Sequence, residues 1–391
     1  MKTTVSAVDF GTSKIVALVA ETSGRQRCDI IGAGTVIYDG YMEGRWNAPD
    51  QLNDAISNAL HAAEEQAHTR IKEVSVGVPG EFSQVRTVEV QVELQGADPR
   101  VTQRDIEALF EKAALSLGDV RGTIVQRSPA WFTVDDGKKT FEPVGIRGYA
   151  LRGMVSFVIA DQFFLEDGTE RFRALGINVA GYMSTCQGQA MLFVPDEERD
   201  HTAVLVDIGY LTTEVMVLEG DAITCLKNLP VGGGHIAADL AYGLKITLPV
   251  AEQIKRAYVY GLSAGQSTFE ATDQSGNNST FTREQVEAVL EPRAEEICEK
   301  IRDAIKESGA KLGNWSPVYL TGGGLAINRG GREFLSHILD RTVRELPRKA
   351  VKLSSPAYSS ALGLLDLLID NVTESRAMSG VSGFFRSLFG G

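Results

Sequence analysis

The stretch Val5-Ser-Ala-Val-Asp-Phe-Gly-Thr-Ser-Lys-Ile-Val-Ala-Leu-Val19 reads as strand, tight turn, strand. Val5 to Val8 and Ile15 to Val19 are short apolar runs, the composition of buried strands. Between them lie Asp9, Gly11, Thr12, Ser13 and Lys14. Gly11 permits close backbone approach to a ligand. Thr12 and Ser13 set hydroxyls beside backbone N–H groups, and Lys14 adds a cation. Together they form a candidate phosphate cradle at a hairpin turn. Asp9, at the strand end, is a candidate carboxylate for hydrated Mg²⁺, an ion that keeps several of its waters.

The design recurs. Ala203-Val-Leu-Val-Asp-Ile-Gly-Tyr-Leu-Thr-Thr-Glu-Val-Met-Val217 places Asp207 and Gly209 where the first copy has Asp9 and Gly11, with Thr212 and Thr213 following. Two copies of one phosphate hairpin, far apart in the chain, imply two related half-domains facing each other across a cleft. A third piece, Val318-Tyr-Leu-Thr-Gly-Gly-Gly-Leu-Ala-Ile327, is a buried strand followed by Gly322, Gly323 and Gly324. Their bare backbone can lie flat against a nucleoside. Gly232, Gly233 and Gly234 precede a helical run and so put N–H groups at a helix N-terminus, where anions bind. Tight turns alone account for any one of these loops. Their arrival together points to a site for a nucleoside and its phosphates.

The trio resembles the actin and sugar-kinase superfamily of ATP-binding proteins. Asp9-Phe-Gly-Thr-Ser-Lys14, Leu229-Pro-Val-Gly-Gly-Gly-His235, Ala251-Glu-Gln-Ile-Lys255 and Glu291-Pro-Arg-Ala-Glu-Glu-Ile297 narrow it. They are similar to the FtsA family, bacterial actin homologues of cell division, and the resemblance runs through nearly the whole chain. It implies an α/β, actin-like two-lobed ATPase fold, with duplicated β-β-β-α-β-α half-domains and an inserted small α+β subdomain. It implies ATP phosphates gripped from both sides, with Mg²⁺ held through water by Asp9 and Asp207. Glu252 and Lys255, three apart on one helix face, would hold the ribose and the edge of adenine, and the Gly322–Gly324 backbone would flank the base. The implied partners are the FtsZ C-terminal tail, bound at about residues 244–315, further copies of the chain in a polymer, and later division proteins at residues 81–160.

Composition sets bounds. The 391 residues suffice for two or more lobes with real cores. A hydrophobic share of 43% and a charged share of 23% are those of an ordinary globular protein. A net charge of −12 argues against a general nucleic-acid binder. Cys28, Cys186, Cys225 and Cys298 lack CxxC or zinc spacing, so free thiols in a reducing compartment are expected. The histidines are likewise scattered, without ligand spacing. Met1-Lys-Thr-Thr leads straight into the first strand with no secretory pattern. No run approaches the ~18 apolar residues of a membrane span.

In chain order, Asp29 to Ile37 continues the first sheet. Pro49 opens a helix with a stripe of Leu52, Ala55, Ile56, Ala59, Leu60 and Ala63. Glu73 to Pro79 is the next strand. The pattern breaks at Pro79-Gly80. Residues 81–160 read as the inserted subdomain: an alternating strand at Val85 to Leu94, a helix capped by Thr102 and Asp105, and strands at Thr123 to Gln126, Ala130 to Val134 and Tyr149 to Ile159. The first half-domain then comprises residues 1–80 and 161–195, the second 196–243 and 316–370, with 244–315 as its outer subdomain. Pro292 should kink or break the helical run Thr282 to Gly309. A linker is expected over 371–380.

Two features modify the resemblance. The family's second loop usually has Gly-Gly after its first glycine and Asp after the two threonines, whereas this chain has Tyr210, Leu211 and Glu214. Either a differently shaped turn binds nucleotide with weak or no hydrolysis, or the site is degenerate and structural. No general base is legible, which leaves an ATP-dependent polymer switch as the expected role. The second feature is the tail, residues 381–391. Val381, Phe384, Phe385 and Leu388 fall at i, i+3, i+4 and i+7, with Phe389 next. That stripe fits an interfacial membrane anchor, weak singly and strengthened by avidity on a polymer. The alternative is a terminal helix docked on its own core. The anchor implies a peripheral membrane protein, and the resemblance implies the cytoplasmic face of the membrane at the division septum. Rival readings are a PilM-like pilus-assembly scaffold, which would normally lack the tail, and a small-molecule kinase of the same fold.

Overall fold

The computed structural model describes residues 2–23, 28–261, 267–272, 278–313, 315–347 and 353–379. The first lobe begins with β1 (Thr3–Phe10), β2 (Lys14–Thr22) and β3 (Cys28–Ile37). A small hairpin of β4 (Tyr41–Met42) and β5 (Arg45–Trp46) follows, then α1 (Pro49–Ala67) and β6 (Glu73–Val78). The insertion holds β7 (Ser83–Glu93), α2 (Gln103–Ser116), β8 (Thr123–Val134) and β9 (Ala150–Ala160). The chain returns through α3 (Gln162–Ala174), β10 (Asn178–Ser184), α4 (Thr185–Phe193) and the short α5 (Asp196–Arg199). The second lobe has β11 (Ala203–Ile208), β12 (Thr213–Glu219), β13 (Ala222–Leu229), α6 (Gly233–Leu244), α7 (Leu248–Ala257), β14 (Thr268–Thr272), β15 (Asn278–Thr282) and α8 (Arg283–Glu307). It closes with β16 (Val318–Thr321), α9 (Gly331–Leu339), β17 (Val343–Glu345) and α10 (Ser359–Ser379).

The two main sheets repeat one plan. The first runs β10-β6-β1-β2-β3 and the second β17-β16-β11-β12-β13. In each, three antiparallel strands open the sheet, and two later strands, β6 and β10 or β16 and β17, extend it in parallel on the side of its first strand. The central strands are buried on both faces. Val8, Ile15, Ala17 and Val19 pack with Leu52, Ile56 and Phe164 on one side, while Val5, Ala7, Val16 and Leu18 pack with Leu364, Leu365 and Leu368 on the other. This explains their near-continuous apolar sequence.

Several elements differ in detail from the sequence reading. Thr123 to Val134 is one strand, its register shifting near Val125 and Ala130, because Pro129 interrupts a ladder without ending it. α8 runs unbroken through Pro292. Its buried stripe of Val286, Leu290, Ala294, Ile297 and Ile301 spans both sides of the proline, and that packing outweighs one missing backbone hydrogen bond. The final helix is helical to Ser379, through the expected linker. It also packs on the first sheet and α4 rather than on the second sheet, because its leucines cover the exposed apolar face of β1 and β2. Helices α4 and α10 cross where Gly188 faces Gly363. A Cβ on Gly188 would lie 2.4 Å from the Gly363 carbonyl oxygen, so only glycine permits this approach.

Candidate functional site

The α4–α10 crossing forms the floor of the cleft between lobes. Asp9 and Asp207 stand at the ends of β1 and β11, the equivalent strands of the two sheets. Each is held by a side chain from the floor. Ser360 Oγ donates to Asp9 Oδ1 at 2.8 Å, and Gln189 Nε2 donates to Asp207 Oδ2 at 2.6 Å. Burial pushes both carboxyls up to about 6, partly opposed by these donors and by Lys14.

Glu214 lies directly opposite Asp207 in the β11–β12 register, where the first hairpin has Val16 opposite Asp9. Its carboxyl accepts from the Gly80 N–H at 2.7 Å and from Cys186 Sγ at 3.2 Å. Burial, and then the neighbouring Asp207, push it up to about 7. Asn228 Nδ2 donates to the Gly80 carbonyl at 2.8 Å. The first lobe's Gly80 is thus gripped through both backbone groups by side chains of the second.

The two hairpin turns close in the same way: the Gly11 N–H bonds the Lys14 carbonyl and the Gly209 N–H bonds the Thr212 carbonyl, both at 2.9 Å. The turns also meet each other. The Leu211 N–H donates to Thr12 Oγ1 at 3.0 Å. Ser13 gives its carbonyl to the Tyr38 N–H. Thr213 is fully buried and donates to the Val231 carbonyl at 2.7 Å, so its hydroxyl serves the fold.

The N-terminus of α6 is filled from within. The Gly233 N–H bonds the Gly209 carbonyl at 2.9 Å, and the Gly234 N–H bonds the Tyr210 carbonyl at 2.6 Å. The Gly232 N–H bonds His235 Nδ1 at 3.1 Å. The ring of Tyr210 lies so near Gly234 that a Cβ there would be 2.8 Å from Tyr210 Cε1.

Lys255 is 1% exposed. Its Nζ pairs with Glu252 at 2.7 Å, donates to the Gly233 carbonyl at 3.0 Å and sits 5.5 Å from the centre of the Tyr210 ring. Lys14 Nζ lies 3.9 Å from the centre of the Tyr358 ring. Burial lowers the pKa of both lysines. Gly322 and Gly324 of the triplet are likewise in close packing. Gly322 has φ 93°, and a Cβ there would be 2.2 Å from Asp207 Oδ1. The Gly324 N–H bonds the Ile208 carbonyl at 2.7 Å, and a Cβ on Gly233 would lie 2.5 Å from Gly324 Cα.

The structure therefore gathers the two turns, the α6 N-terminus, the Glu252–Lys255 pair and the glycine triplet around Gly209 to Leu211. Several of their polar groups bond one another across these elements. As folded, these residues do not fit Mg·ATP: the turns touch, the helix N-terminus is capped and each lysine faces a tyrosine ring. Among the described residues, no three of His, Cys, Asp and Glu lie close enough to hold a metal ion. Gln189, Ser360, Tyr358, Cys186 and Asn228 escaped the sequence reading. They come from elements distant in the chain and carry no motif. The tail residues Val381, Phe384, Phe385, Leu388 and Phe389 lie outside the described residues. Among the described residues, no helix is long and apolar enough to cross a membrane.

Similarity to known proteins follows the duplicated architecture. The family "Cell division protein FtsA" matches residues 204–363. The FtsA of Neisseria meningitidis is 26% identical over 92% of this chain and 89% of its own length. That of Pseudomonas aeruginosa is 25% identical over 97% and 92%. The chain resembles FtsA over nearly its whole length. Among solved structures, the PilM-PilN type IV pilus biogenesis complex aligns with a TM-score of 0.62 at 18% identity, covering 93% of this chain and 98% of that one. Spiroplasma citri MreB5 bound to ADP aligns at 0.52 and 12% identity, over 96% and 98%. The MamK double helical filament aligns at 0.51 and 14%, over 93% and 98%. The fold of this FtsA-like chain is actin-like.

Proposed function

We propose that this chain is an actin-like scaffold of cell division that tethers FtsZ polymers to the inner face of the membrane. The observation that carries this reading is the FtsA likeness along 92–97% of the chain on a duplicated actin-like frame. In it, the surface at residues 244–315 receives the FtsZ tail, and copies of the chain associate into polymers, an arrangement compatible with the fold of the MamK filament. The insertion at 81–160 meets later division proteins. The stripe of Val381, Phe384, Phe385, Leu388 and Phe389 lies in the lipid interface. No step of this role is routed through nucleotide.

A second reading is favoured by one observation, the TM-score of 0.62 to PilM. It makes the chain a pilus-assembly scaffold without a lipid-binding tail. Sedimentation with phosphatidylglycerol/phosphatidylethanolamine vesicles separates the two. The division scaffold predicts that the full chain pellets with vesicles and carries FtsZ with it, while the chain truncated after Arg376 stays folded and soluble. Equal pelleting by the truncated chain, or no recruitment of FtsZ by the full chain, overturns the proposal.

A further inference from the structure

We propose that Tyr210 and Leu211 occupy the nucleotide position of this cleft, so that the two lobes close on each other's side chains and the chain works without ATP. The closure stands on contacts that the residues of the two lobes make among themselves. Carbonyl oxygens of Gly209 and Tyr210 cap the first N–H groups of α6 at 2.9 and 2.6 Å, where a helix N-terminus would otherwise receive phosphate oxygens. Thr12 Oγ1 and the Leu211 N–H bond each other at 3.0 Å across the gap that phosphates would fill. The ring of Tyr210 is pressed against Gly234 and faces Lys255, which the family resemblance assigns to the nucleoside. The ring of Tyr358 takes the cation of Lys14 at 3.9 Å, a contact of cation–π geometry.

The substitution pattern supports the same conclusion. A turn that approaches phosphate through bare backbone needs glycine, and this chain places side chains at both positions after Gly209. A ligand shifts a conformational equilibrium only by its differential affinity for the two states. A cleft already closed by its own residues leaves a nucleotide little to change. The scaffold would therefore be set for assembly by its concentration and partners.

The test is a calorimetric titration of the full chain with Mg·ATP, beside the double variant Tyr210→Gly/Leu211→Gly and the single variant Tyr210→Gly. The wild-type chain should show no saturable binding up to about 1 mM, and the folded double variant should bind at least about tenfold more tightly. Micromolar saturation of the wild type overturns the proposal. So does a double variant that keeps its circular dichroism spectrum and binds no better than wild type. If the double variant fails to fold, the wild-type titration and the single variant decide on the same criteria. The vesicle experiment uses no nucleotide, so failure of the scaffold role and failure of this closure are distinguishable.

Discussion

The backbone N–H of Leu211 donates to the hydroxyl of Thr12 at 3.0 Å, joining the turns of two hairpins that belong to different sheets. Thr12 is buried, so removing its hydroxyl strands a donor away from water. Thr12→Ala should destabilise the chain by about 1–3 kcal/mol, and Thr12→Ser should restore most of the loss. Urea midpoints of the three proteins provide the check. Identical midpoints for alanine and wild type would deny the bond any role in closure.

A pH dependence follows from the acids below that bond. Asp9 and Asp207 are pushed up to about 6 and Glu214 to about 7. All three are raised, so the folded chain holds protons that the unfolded chain has released. Stability must then fall as pH rises from the ordinary carboxylate range through about 7. Glu214→Gln should flatten the upper part of this fall, since an amide does not titrate. Denaturant midpoints measured across that range would show either the falling slope and its flattening, or a level profile that contradicts the assignment.

Gly363 tests the cleft floor. A Cβ there would lie 2.4 Å from the Gln189 backbone nitrogen. Gly363→Ala must therefore push α10 and α4 apart, at a cost of about 1–3 kcal/mol. Because Gln189 and Ser360 hang from these helices, the change should also loosen Asp207 and Asp9. Ala361→Gly, in the same helix but buried against the first sheet, should lower stability without moving the crossing. A crystal structure of the Gly363→Ala chain with unchanged helix separation would refute the close approach.

Lys255 is 1% exposed and its partner Glu252 19%. Lys255→Met keeps the stem and removes the charge, leaving Glu252 to Arg256, which already bonds it at 2.8 Å. A buried pair broken on one side costs about 3–5 kcal/mol. The remaining arginine and the partial exposure reduce the expected loss to about 2 kcal/mol. Thermal denaturation at two salt concentrations checks it, and a fully unaffected variant would contradict a structural role for the pair.

The hairpins, the glycine triplet and the duplicated strand plan were legible because each is local: short continuous apolar runs, ended by glycine and small polar residues. That the Asp9 and Asp207 turns belong together was legible from their repetition. What the turns do to each other was not. Tyr210 and Leu211 stood out only as departures, and the bond to Thr12 joins residues far apart in the chain. The glycines read as ligand-facing backbone are used instead for close packing, at Gly322 against Asp207 and at Gly233 against Gly324. Glycine in a sequence announces a close approach but not what approaches. The same limit applies to α10, whose apolar face fits either lobe until the open side of β1 and β2 is seen.

The most direct measurement is hydrogen exchange at the Leu211 amide, followed by mass spectrometry on the full chain with and without Mg·ATP. A cleft closed by Thr12 and Leu211 predicts slow exchange in the turn without nucleotide and no change when Mg·ATP is added. Rapid exchange that slows on adding Mg·ATP would contradict the account and place an ordinary nucleotide between the lobes.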